Sequence, residues 1–202
     1  MIGCRLPFVP FVLLLGIGAV GCLGGRPTPQ IRYYTVALNV DAPRLPFGID
    51  VGIFVAEPSY RSTRIAFRRS RYRLDYYDFN RWSANPQSLL AAAVQNYLDR
   101  VSSPDDPTPV LLNGRIDRLE AVATGKGLRA VCGLTFDARW KDQSLLQRSY
   151  VEKVPVVEGD EAEDVVAALS HALERIMATL TTDLSRARAN APVEEIRREK
   201  QR

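Results

Sequence analysis

A chain with a single histidine, His171, and three cysteines, Cys4, Cys22 and Cys132, has few residues from which to assemble a nucleophile and its base. His171 sits near Glu174, Arg175 and Ala178 in a helical run, away from the apolar stripe, and reads as an exposed helix residue. Cys132 is in phase with the apolar positions of an alternating stretch, residues 128–140, and reads as a small buried strand residue. No nucleophile–base pair and no zinc site of ordinary ligand spacing can be built from these two. Asp75, Asp78, Asp105, Asp106 and Asp117 could in principle supply a two-acid hydrolase, but they fall at turns or at the polar parity of strands and nothing pairs them. Gly125-Lys126-Gly127 lies between two strand patterns with no helix behind it, which makes it a hairpin turn and not a phosphate loop. There is no ATP-binding motif. The residues predict a non-enzymatic protein with no catalytic residue, no metal site and no cofactor.

Cys22 has a different chemistry open to it. It ends the order Ala19-Val20-Gly21-Cys22 behind the apolar residues 6–20, which Arg5 precedes. That run is interrupted by Pro7 and Pro10 and falls short of the roughly 20 apolar residues of a spanning helix, so residues 1–21 read as a signal peptide. The small residues Ala19 and Gly21 suit a peptidase that binds an extended backbone closely. The segment resembles the lipobox of bacterial lipoproteins, in which cleavage after the position of Gly21 leaves the cysteine, here Cys22, diacylated on sulfur and acylated on its amine. Two such chains already give stable anchoring. Leu23 and Gly24 follow in place of an Asp, which by the same resemblance implies the periplasmic face of the outer membrane of a Gram-negative bacterium over the inner membrane. Residues 22–30 then form the lipidated cysteine and a Gly- and Pro-containing tether. With Cys4 removed and Cys22 lipidated, Cys132 has no intrachain disulfide partner.

The elements that follow alternate in type. Strand patterns cover residues 31–38, 49–55 and 63–79, the last with a turn or irregular edge around residues 68–71. Asn85-Pro86 starts a helix over residues 86–101, with Leu89, Leu90, Val94, Tyr97, Leu98 and Val101 on one face. Strands follow over residues 110–124, 128–140 and 145–157. A long helix spans residues 161–186, opened by acids that suit its dipole, with Val165, Leu169, Leu173, Ile176, Met177 and Leu180 as its buried stripe. This grouping predicts a single α+β domain, residues 31–186, with a largely antiparallel twisted sheet and two main helices packed on one face. Residues 187–202 form a charged, disordered tail. The net charge of +4 is too mild to specify a partner.

Residues 61–82 are the one unusual surface signal, with seven arginines interleaved among aromatic residues. Export argues against nucleic acid as their target. Two readings remain: strands whose arginines solubilise an exposed sheet face and guard its edge, or a surface for anionic headgroups or a protein partner, built from Arg68, Arg69, Arg71, Arg73, Tyr76, Tyr77 and Trp82.

A family resemblance rests on several of these segments together. The lipobox, the early Tyr33-Tyr34-x-Val36 strand, Asp50-Val-Gly-Ile-Phe-Val55, Arg71-Tyr-Arg-Leu-Asp-Tyr-Tyr-Asp-Phe-Asn-Arg-Trp82 and Asn85-Pro-Gln-Ser-Leu-Leu90 resemble the ABC-type transport auxiliary lipoproteins, the PqiC-like family. The family's loop pattern Pro-x-x-Leu-x-Arg is matched only loosely by Glu57-Pro-Ser-Tyr-Arg-Ser-Thr-Arg64. The resemblance implies a fold similar to the amino-terminal domain of TolB and a role beside an ABC permease, its ATPase and an MCE-type substrate-binding protein. Such systems move lipids or other hydrophobic molecules between the inner and outer membranes; a homo-oligomer is compatible with that role. The alternative from another class is an envelope lipoprotein that regulates or scaffolds a cell-wall or envelope-assembly enzyme.

Overall fold

The structure, a computed structural model, describes residues 29–39, 43–103, 107–141, 143–157 and 162–191. The chain divides into two compact units, residues 1–30 and 31–202. The signal segment, Gly21, Cys22 and most of the tether fall outside the described residues, as do Asp105, Asp106 and residues 192–202 of the tail.

Within the second unit the elements run β1 (Arg32–Tyr34), β2 (Ile49–Ala56), β3 (Arg64–Ser70), β4 (Arg73–Trp82), α1 (Pro86–Val101), β5 (Val110–Thr124), β6 (Gly127–Trp140), β7 (Gln143–Pro155) and α2 (Ala162–Ala189). The strands form one sheet in the order β1-β4-β3-β5-β6-β7, with β2 also on β5. The domain is α+β. Its long hairpins, β3–β4 and β5–β6–β7, are antiparallel, as their alternation and short turns require. The pairings β1–β4, β2–β5 and β3–β5 are parallel. β2 and β3 therefore share one edge of β5: β2 pairs with its first half up to Ile116, and β3 with Glu120 to Val122. The β5–β6 register shifts between Ile116 and Arg118, at the place where one neighbour gives way to the other. A 3-10 turn, Pro58–Tyr60, joins β2 to β3 there.

The alternation in β6 sends Ala130, Cys132, Leu134, Phe136 and Ala138 into the same core that takes the apolar stripes of both helices. Phe54 of β2 packs edge-on to Phe136, and its ring covers Gly114 so closely that a Cβ there would stand 2.4 Å from Phe54 Cζ. Only glycine fits at that position. Gly127 closes the β5–β6 turn with φ of 110°, a conformation that suits glycine. Asn85 Oδ1 accepts the Ser88 N–H at 2.9 Å and Pro86 opens α1, so the expected cap is present. α1 lies against β2, where Gln95 Oε1 accepts the Val51 N–H.

Several boundaries differ from the sequence expectation. The first strand has three residues, not eight, because the Ala37 and Asn39 N–H groups turn away to donate to Ser170 Oγ and Glu174 Oε1 of α2. The turn expected around residues 68–71 lies at Arg71 and Tyr72, and β4 continues to Trp82, past the expected end at residue 79. β7 starts at Gln143, two residues early. α2 continues to Ala189, past the expected end at residue 186, and the Arg188 guanidinium stacks 3.5 Å over the Trp140 ring in that extra turn.

Candidate functional site

The arginines of β3 and β4 divide into an inward and an outward set. Arg68 reaches across to β5, where its Nε donates to both carboxylate oxygens of Glu120 at 3.0 Å. Arg118 Nε donates to Glu120 Oε1 at 2.9 Å, its Nη2 donates to the same oxygen, and the Tyr60 hydroxyl donates to Oε2 at 2.9 Å. Glu120 is 0% exposed, although strand alternation puts it at a polar parity; the 3-10 turn folds Tyr60 over it. Burial pushes its carboxyl up, but the hydrogen bonds from Arg68, Arg118 and Tyr60 outweigh burial and hold it below the ordinary value. Burial likewise raises the Tyr60 phenol.

The outward set gathers at the hairpin. Asp75 accepts from Arg73 Nε at 3.1 Å and from Arg69 Nε at 2.7 Å, and these hydrogen bonds, Arg73's the larger, keep its carboxyl below the usual range. The Arg69 guanidinium also lies 5.2 Å over the Phe67 ring, and Phe67 packs against Tyr77 with ring centroids 5.9 Å apart. Arg69, Phe67, Tyr77, Tyr76, Asp75 and Leu128 line a cleft of about 340 Å³. The Tyr76 hydroxyl donates to the Ser59 carbonyl, and Arg64 covers its ring at 4.8 Å. At the turn, the Arg71 guanidinium lies 5.1 Å from the ring of Tyr72, which is 86% exposed.

Of the seven residues that the sequence groups as a surface, Arg69, Arg71, Arg73, Tyr76 and Tyr77 do share the β3–β4 ribbon. Trp82 does not join them. It is 1% exposed and belongs to the core, at the end of β4 where its backbone N–H is bonded to the Thr63 carbonyl. Arg68 is engaged with Glu120 and is only a quarter exposed. Glu120 itself carries little sequence signal: Arg118 stands two residues away on the same strand, but Tyr60 and Arg68 come from distant stretches of chain.

Elsewhere, Asp183 of α2 accepts from Tyr150 and Arg148 of β7, each at 2.8 Å, and fastens helix to sheet. His171 is exposed and sits 3.0 Å from Glu174. Cys132 is wholly buried, which pushes its thiol up to about 12 and leaves it protonated at neutral pH. Among the described residues there is no group of three or more His, Cys, Asp or Glu side chains placed to hold a metal ion. No described helix is long and apolar enough to cross a membrane. The ribbon and its cleft offer guanidinium groups beside aromatic faces, which suits an anion next to an apolar or planar group.

A family model described as "ABC-type transport auxiliary lipoprotein component" matches residues 39–181, most of the chain. The chain belongs to that family. The match spans the sheet from the segment before β2 to the last turns of α2, so this auxiliary lipoprotein component of ABC-type transport carries its family's features in the domain just described. Its fold is similar to that of XCC0632 from Xanthomonas campestris, a DUF330 protein, with a TM-score of 0.69 and 17% identity over 80% of this chain and 100% of that one. An uncharacterized protein aligns with a TM-score of 0.63 and 14% identity over 77% of this chain and 99% of that one. A comparison with curated proteins found no match.

Proposed function

We propose that this auxiliary lipoprotein is a non-enzymatic, periplasmic component of an MCE-associated ABC transport system that moves lipids or other hydrophobic molecules between the inner and outer membranes. The observation that carries the reading is the family match over residues 39–181. In this proposal cleavage after Gly21 exposes Cys22, whose acyl chains hold the protein on the periplasmic face of the outer membrane. The tether then leads into one α+β domain that begins at residue 31, and the last residues of the chain form a charged tail. The partners are an MCE-type substrate-binding protein and the permease–ATPase complex, which supplies the energy. The ribbon arginines and tyrosines supply a contact surface, since Arg69 and Arg73 are more than half exposed.

Two experiments bear on this. Replacement of Cys22 by Ser should release a folded domain from the membrane fraction and abolish its role; normal function in a released variant would refute anchoring as a requirement. Cross-linking in intact envelopes should capture an MCE-type protein. Failure to do so, together with an unchanged role after deletion of the transporter, would remove the transport assignment.

A further inference from the structure

Two turns meet at one end of the sheet, and a third element points toward it. β3 and β5 run parallel with Arg68 level with Val122, so the β3–β4 turn at Arg71 and Tyr72 lies beside the β5–β6 turn at Gly125 and Lys126. β1 is parallel to β4 with Arg32 level with Asn80, so the start of β1 points back along β4 toward this same end. The turn region itself carries Arg69, Arg71 and Arg73 against Asp75, with Lys126 next to it, Asp78 further along β4 and Tyr72 projecting almost fully into solvent. The acids in the first turn of α2, Glu163 and Asp164, also lie toward this end, in the helix layer, because α2 runs antiparallel to β7 and the last residue of β7 is level with Arg129 beside the β5–β6 turn.

From Asn80 back to Arg73 the strand covers about 23 Å. The chain between Cys22 and Arg32 can span at most about 33 Å when extended. An anchor at Cys22 therefore has the reach to let the hairpin touch the bilayer that holds it, and the direction of β1 favours that orientation.

We propose that the β3–β4 turn is a second membrane contact, in which Arg69, Arg71 and Arg73 meet anionic phospholipid headgroups of the anchoring leaflet and Tyr72 enters the headgroup layer. The inference rests on the anchored reading above. Arginine supplies paired donors for phosphate, and an exposed aromatic ring with one polar tip suits the boundary between water and acyl chains. Asp75 holds Arg69 and Arg73 side by side, which keeps both near the turn. Lipid anchor and hairpin together would fix the domain's orientation on the membrane, where the lipid alone leaves it free to swivel.

The test uses the mature lipidated protein, with Tyr72→Trp as reporter and Ala84→Trp, on the exposed loop after β4, as its control; both native tryptophans are buried. Each variant is reconstituted in vesicles of phosphatidylcholine alone or with added phosphatidylglycerol, and quenching by brominated acyl chains is read. The introduced fluorophore of Tyr72→Trp should be quenched and blue-shifted in the anionic vesicles, while that of Ala84→Trp stays solvent-like in both. Substitution of Arg69, Arg71 and Arg73 by Ser should weaken the contact by about fivefold per arginine, on the order of 100-fold in all. A signal from Tyr72→Trp no different from that of Ala84→Trp in anionic vesicles overturns the hairpin contact. Failure of the protein to float with neutral vesicles would instead defeat the anchor, so the two readings fail separately.

Discussion

Glu120 and Asp75 each gather two guanidiniums, but they differ in solvent access. Glu120 takes Arg68 and Arg118 beneath Tyr60 and is wholly buried, whereas Asp75 takes Arg69 and Arg73 at the hairpin, where both arginines are more than half exposed. Water competes for every bond at Asp75 and salt screens its charges, so the cluster there orders side chains without adding much stability. The Glu120 carboxylate itself is closed to water. The same chemical grouping is structural in one place and available for contact in the other.

The largest expected effect follows from breaking the buried cluster. Glu120→Ala leaves the partly exposed Arg68 and Arg118 guanidiniums without their buried carboxylate and should lower unfolding stability by about 3 kcal/mol, measured by denaturant titration. Equal losses for Glu120→Ala and Asp75→Ala would erase the contrast. The pH dependence gives an independent reading. The carboxyl of Glu120 is held below its ordinary value of 4.5, so its contribution is complete above that pH and is lost as pH falls through the folded value. Glu120→Ala should therefore flatten part of the decline in stability seen in acid. Tyr60→Phe removes one hydrogen bond to the charged group and should cost about 1.5 kcal/mol. At the small end, Asp75→Asn should leave the melting temperature within error of wild type while strengthening contact with anionic vesicles by about fivefold. A clear loss of stability in that variant would mean that the hairpin cluster is also a structural one.

Much of this arrangement can be read from local pattern. α1 has the expected bounds because Asn85-Pro86 and the apolar stripe are local signals, and the β5–β6 hairpin follows from alternation on both sides of Gly125 to Gly127. What escapes the sequence depends on distant partners. Residues 35–38 keep a strand-like pattern, yet the apolar side chain of Val36 is buried while the backbone bonds to α2, a choice made by tertiary packing. The parallel pairings of β2 and β3 with β5 leave no local trace. Trp82 has the composition of a surface aromatic among arginines, but its position at the end of β4 puts it in the core. Glu120 reads as one more polar strand position because nothing near it in sequence announces Tyr60.

The sharing of one edge of β5 by β2 and β3 has a consequence for how the domain assembles. β6 follows β5 through a tight turn and β7 follows β6, so that meander closes over short stretches of chain. Tyr60 and Arg68 must return to Glu120 across 60 and 52 residues. Contacts that close long loops form late in folding, after the local hairpins have reduced the entropy still to be lost. The buried carboxylate is therefore a late latch: Glu120→Ala should speed unfolding many-fold while leaving the refolding rate nearly as it was.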